Sequence, residues 1–213
     1  MLAERWLSEV LMKRFFTSLV LFTLISIVFS GLTACTNNTT SPSNVSVDGN
    51  NKTLTETNNN FYPPAPSVIM QTELKDLDGN TFKLEDKKGK VVLVNLWAIW
   101  CGPCVAEMPE FARMQDQYRD KGFEVVGLNT GTQDGEEESA ENIKSFVEKR
   151  KINYQMGYGT EEIFDEFDKK TRLGGIPQSM LLNREGQMTL IVGGGGSRVL
   201  NQIKEAVEKT VNE

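Results

Sequence analysis

The sequence predicts an α/β domain in which helices flank a central mixed β-sheet. Three observations predict it. Two apolar runs, Val91–Trp97 and Phe123–Asn129, carry one charge between them and are rich in β-branched residues, as buried strands are. The segment between them places apolar residues at helical spacing. The C-terminal third holds two short apolar runs around a turn signature and then a last amphipathic segment, so strands and helices alternate before a closing hairpin and helix.

In order, residues 68–74 and 81–84 around Asp76-Leu77-Asp78-Gly79-Asn80 read as a hairpin with a Gly-containing turn. Asp86-Lys87-Lys88-Gly89-Lys90 turns the chain into the central strand, Val91–Trp97. A helix follows over about 103–121, with Pro109 inside it to remove a hydrogen bond and kink it. After the strand at Phe123–Asn129, residues 131–138 are a polar loop whose Glu136-Glu137-Glu138 run reads as solvated. Ser139 caps a helix that carries Ile143, Phe146 and Val147 on one face. Residues 153–157 read as a short edge-like strand, and Thr160 caps a helix with Ile163, Phe164 and Phe167 inward. Residues 179–182 and 188–192 flank Asn183-Arg184-Glu185-Gly186 as a second hairpin. A glycine run, 193–196, precedes a last helix over 199–211, capped by Ser197. The run is no phosphate loop, because it lacks Walker spacing and a lysine and opens no βαβ unit.

Ahead of the domain, Lys13 and Arg14 precede a long apolar stretch that ends in small residues, the pattern of an export signal. Glu4 and Glu9 are foreign to a positive n-region, so Met12 is a second candidate start beside Met1. Leu32-Thr33-Ala34-Cys35 resembles a bacterial lipoprotein signal, which implies a lipid on Cys35; a plain signal peptide or uncleaved anchor is the alternative. Residues 36–62 are dominated by Asn, Thr and Ser and bury too little apolar surface to offset ordering, so they read as a disordered tether spanning about 30 Å. The expected organisation is signal 1–35, tether 36–62 and domain 63–213. The net charge is −6 with no basic cluster in the domain, which argues against a nucleic-acid partner and leaves membrane binding to the lipid. The chain has no histidine, which excludes Cys–His and Ser–His catalysis and most transition-metal sites.

The chemistry concentrates in Trp100-Cys101-Gly102-Pro103-Cys104, between the central strand and the first long helix. A C-x-x-C pair at a strand-to-helix junction is a redox signal. Helix dipole and free N–H groups there stabilise a thiolate on the first cysteine. A zinc site needs four ligands, and Cys35 is the only other cysteine; a static disulfide closing so short a loop gains little. One lipidated cysteine plus one redox pair leaves no odd thiol. Glu107 follows Cys104 by three residues, on the same helical face, where partial burial raises its pKa; an exposed first-turn glutamate favoured by the dipole is the alternative. Trp97 is expected beneath the pair and Trp100 at its rim, with packing a sufficient account of both.

Residues 63–211 resemble thioredoxin-fold proteins, and most of all the TlpA/ResA-like membrane-tethered thiol–disulfide oxidoreductases. The resemblance rests on Val91–Trp97 with Asn95, on Trp100 through Pro109, on Gly175-Ile176-Pro177, and on the Asp76–Gly79 and Gly89–Val92 stretches. It implies a thioredoxin-like fold with an N-terminal β-hairpin addition. It also implies that Cys101 is the exposed nucleophile, that Cys104 is the buried resolving thiol, and that Glu107 is the acid/base where Asn95 cannot ionise. Gly102 and Pro103 resemble the dipeptide of reducing thioredoxins. Pro177 becomes the cis-proline against the sulfurs, an ordinary trans turn being the alternative, and Ile176 offers its backbone to an extended substrate.

The leading expectation is an extracytoplasmic, lipid-anchored reductase of disulfides in exported proteins, apocytochrome c among them, fed by a membrane thiol-reducing donor. No cofactor beyond the Cys101–Cys104 disulfide and no metal is expected, and the domain is expected to be a monomer. A disulfide-forming oxidase or isomerase on the same fold is the alternative enzyme, and a non-catalytic surface lipoprotein the alternative class. A peroxiredoxin-like peroxidase is disfavoured, because its threonine ahead of the cysteine is missing from the Trp97–Cys101 stretch.

Overall fold

The computed structural model describes residues 62–213. The leader, Cys35 and the tether up to residue 61 lie outside the described residues. Seven strands form one sheet: β1 (Leu74–Asp76), β2 (Thr81–Phe82), β3 (Val91–Trp97), β4 (Phe123–Asn129), β5 (Gln155–Tyr158), β6 (Gln178–Leu182) and β7 (Met188–Gly193). Their order is β2-β1-β5-β4-β3-β6-β7. β3 runs parallel to β4 and β4 to β5, while β6, β7 and the β1–β2 hairpin join antiparallel. Among the described residues the α-helices are α1 (Ser67–Gln71), α2 (Gly102–Tyr118), α3 (Ala140–Lys149), α4 (Glu161–Thr171) and α5 (Ser197–Asn212). Among the described residues no helix is long and apolar enough to cross a membrane.

Alternation along β3 sorts the core into two layers, because successive side chains of a strand face opposite ways. Val91, Leu93 and Trp97 pack with Met108 and Phe111 of α2, Ile143 of α3, and Ile203 and Val207 of α5. Val92, Val94 and Leu96 pack with Ile69 of α1 and with Ile163 and Phe167 of α4. A strand buried on both faces reads as a continuous apolar run, and every residue of β3 is buried.

Several expectations need correction. Residues 68–74 do not form a strand: Ser67–Gln71 is one helical turn that buries Ile69 and Met70. The backbone just before it bonds to the β6–β7 turn, Ala65 N–H to Gly186 at 3.2 Å and Met188 N–H to Pro63 at 2.9 Å. Tertiary burial overrides the β-propensity of so short a run. The hairpin is real but shorter, and its turn is closed by the Asp76 carboxylate, which accepts from the Asp78 and Asn80 N–H groups at 2.8 and 2.9 Å. β5 is no edge, since β1 pairs along it at Lys75–Tyr158 and Asp76–Gly157. α2 continues through Pro109 to Tyr118. Ser139 caps α3, its hydroxyl accepting from Asn142 N–H at 3.2 Å. Thr160 holds the cap position of α4 without a side-chain bond to its backbone, and the cap of α5 is Gly196 rather than Ser197.

Candidate active site

Cys101 and Cys104 form a disulfide, with Cα atoms 5.3 Å apart. Cys101 is the residue that caps α2, and its Sγ accepts the Cys104 N–H at 3.3 Å. Pro103 fits the first turn, where a missing N–H costs nothing. The helix thus directs its positive end and one free donor at the first sulfur, which favours a thiolate there. Cys101 is not the exposed residue that the resemblance implies: it is 4% exposed against 0% for Cys104. In the disulfide its sulfur is tied to a fully buried partner and lies in the core cluster with Trp97 and Ala98. The order of accessibility still favours Cys101 as the sulfur that an attacking thiol reaches.

One turn further along α2 lies Glu107, buried to 3% exposure. It is not the solvated first-turn glutamate of the alternative reading. Burial pushes its carboxyl up to about 7, opposed by the Gly196 N–H, which donates to Oε1 at 3.2 Å. Oε2 has no hydrogen-bond partner among the described residues. Just ahead of β5, Tyr154 is buried, and its hydroxyl is pushed up by burial and then by the Glu107 charge. The next acid on α2, Glu110, is held well below the usual carboxylate range by its bonds to Arg113 and to Lys204 of α5.

The Ile176–Pro177 bond is cis. Gly195 shows how the distant motifs meet. A β-carbon there would lie 2.8 Å from Pro103 Cβ, 3.3 Å from Glu107 Oε1 and 3.4 Å from Pro177 Cγ. Start of helix, buried acid and cis-proline therefore converge on one glycine. Ile176 is half-buried and packs on both core layers. Asn95 is buried on β3, its amide donating across to Ser179 Oγ at 3.1 Å and the Gln178 carbonyl at 3.4 Å, so it braces the strand that follows Pro177. Trp97 is buried and stacks on Phe146 at 5.6 Å. Trp100 is 48% exposed, and its indole N–H donates to the Gly131 carbonyl at 3.0 Å, tying the polar loop to the rim. Gly102 has nothing within 4 Å of a β-carbon position.

Three groups here escaped sequence reasoning. Gly196 supplies the N–H on Glu107, and Tyr154 the buried hydroxyl. Gln178 fixes the loop ahead of Pro177, donating to the Gly175 carbonyl at 2.7 Å and to Asp168, and accepting from Thr171 at 2.6 Å. Only the glycine run carried a visible signal.

The profile of the AhpC/TSA family matches residues 64–191, more than half of the chain, and the chain belongs to that family. It is similar to the thiol-disulfide oxidoreductase ResA of Bacillus subtilis (strain 168), with 30% identity over 131 residues, 61% of this chain and 65% of that protein. The alignment thus spans just under two thirds of that relative's length. A crystal structure of a thiol:disulfide interchange protein, a thioredoxin family protein from Chlorobium tepidum TLS, superposes with a TM-score of 0.57 at 25% identity, over 71% of this chain and 97% of that one. A solution structure of a thiol:disulfide interchange protein from Bacteroides sp. gives 0.54 at 27% identity, over 71% and 90%. The fold is thioredoxin-like.

Proposed function

We propose that residues 63–213 act as a thiol–disulfide oxidoreductase of the ResA type that reduces disulfides in exported proteins. The observation that carries this reading is the Cys101–Cys104 disulfide at the start of α2, with a buried carboxyl one turn away. In the reduced protein the Cys101 thiolate attacks one sulfur of a substrate disulfide. A mixed disulfide forms, and the first substrate sulfur leaves as a thiolate that takes a proton from solvent. Cys104 then attacks Cys101 Sγ, its proton passing to ionised Glu107, and the second substrate thiolate leaves. Two electrons have moved from the dithiol to the substrate. Regeneration needs a dithiol donor, and in an exported setting a membrane thiol-reducing protein fits that need. The backbone of Ile176, beside the cis-proline, is the candidate strand for an extended substrate, and Trp100 the candidate rim contact. Apocytochrome c remains the proposed acceptor and Cys35 the proposed lipid site, with the signal, tether and domain divided as the sequence suggests.

The test is a trap. Reduced Cys104→Ala protein, offered a peptide disulfide, is expected to gain the mass of one peptide on Cys101 and to release it only to added thiol. A reduced variant that stays free of adduct would overturn the mechanism.

A further inference from the structure

We propose that the glycine segment 194–196 is the closure over the Glu107 carboxyl, with Gly195 the positioning residue that keeps water off it. The inference rests on the function proposed above and assigns that site a further residue. The segment is pinned at both ends: Gly194 N–H donates to the Pro177 carbonyl at 2.8 Å, and Gly196 N–H donates to Glu107 Oε1 at 3.2 Å. Between them Gly195 packs so tightly that no β-carbon fits, the Pro103 Cβ position at 2.8 Å being closer than such atoms approach. Gly196 holds φ at +102°, a conformation that side-chain-bearing residues rarely adopt. The glycines are thus what allows backbone, rather than a side chain or solvent, to lie against the acid.

The remaining groups around Glu107 leave this closure in control. On α2 the two cysteines are joined in the disulfide, and Glu110 is taken up by Arg113 and Lys204 of α5. From the bend just ahead of β5 the nearby titratable group is Tyr154. Of the two influences on the carboxyl, burial outweighs the Gly196 N–H. Displacing the segment removes both, and the larger one decides the sign: hydration makes Glu107 a stronger acid.

The experiment follows the side-chain carboxyl carbon of Glu107 by NMR through a pH titration of the oxidised full chain, assigned by its loss in Glu107→Gln. In Gly195→Ala the ionisation constant of Glu107 is expected to rise about tenfold or more, as hydration replaces burial. The pH profile of disulfide exchange moves to lower pH with it, and in a Glu107→Gln background Gly195→Ala no longer moves that profile. An unchanged Glu107 midpoint in Gly195→Ala overturns the closure. Should that variant not fold, the wild-type Gly196 amide decides: a resonance that moves at the Glu107 midpoint supports the contact, and one indifferent to pH overturns it. The titration needs no turnover, so a chain that exchanges no disulfide sinks the function above and leaves this result to stand or fall alone.

Discussion

Replacing Cys101 with alanine is expected to bring disulfide exchange down to the rate of the uncatalysed reaction while leaving the domain folded. The first half follows from the site: Cys101 is the more accessible sulfur, and it alone sits at the cap of α2 with an N–H donor on it. Cys104, fully buried, offers no second route. The second half is a matter of magnitude. On chain-entropy arithmetic a loop of four residues contributes only about 2 kcal/mol, against a core of two packed layers built on a sheet of seven strands. Residual turnover in Cys101→Ala, with circular dichroism unchanged, would move the nucleophile elsewhere. Loss of folding would make the pair structural.

The second large effect concerns Glu107. Its carboxyl is displaced from 4.5 to about 7 in the folded oxidised protein. Between those pH values the folded state holds a proton that the unfolded chain has released. Stability therefore declines as pH rises through that window and levels off above it. Glu107→Gln keeps an acceptor for Gly196 N–H but never carries charge, so its stability stays flat there. At roughly 1.4 kcal/mol per pH unit, discounted for residual solvent contact, the variant is expected to be more stable than wild type by about 2 kcal/mol at pH 8. The two converge near pH 4. Exchange moves the other way: without a base for the Cys104 proton it slows by about 10²-fold and loses its dependence on a group titrating near 7. Urea unfolding at both pH values and exchange rates across them check the pair of effects. Parallel stability profiles, or unchanged rates, would return Glu107 to the role of a passive core residue.

A gain in stability coupled to a loss of activity is the mark of a strained functional group, and Glu107 was legible as one from its spacing after Cys104. β3 and β4 were legible residue for residue, because strands buried along nearly their whole length read as near-continuous apolar runs, in which polar residues such as Asn95 and Glu124 are isolated exceptions. Other features depend on contacts that no local pattern encodes. α1 reads locally as a strand, and only burial of Ile69 and Met70 against α4 and the β6–β7 turn makes it helical. β5 looked like an edge because the pairing of β1 along it is non-local. The exposure of Cys101 was overstated, since the sequence cannot say how far the closed disulfide is drawn into the core. The glycine run stood out by composition, yet its task appears only where Gly195 meets Pro103, Glu107 and Pro177, residues from two other parts of the chain.

The central claim is that Cys101 and Cys104 exchange electrons with other dithiols, and in the reducing direction. Equilibrating the described domain with thiol buffers of known potential measures it directly. The account predicts a single two-electron transition at or below about −250 mV, on the thioredoxin side of the range. A value near about −120 mV would make the protein an oxidant, and a pair that equilibrates with no buffer would leave it a binding protein on a redox fold.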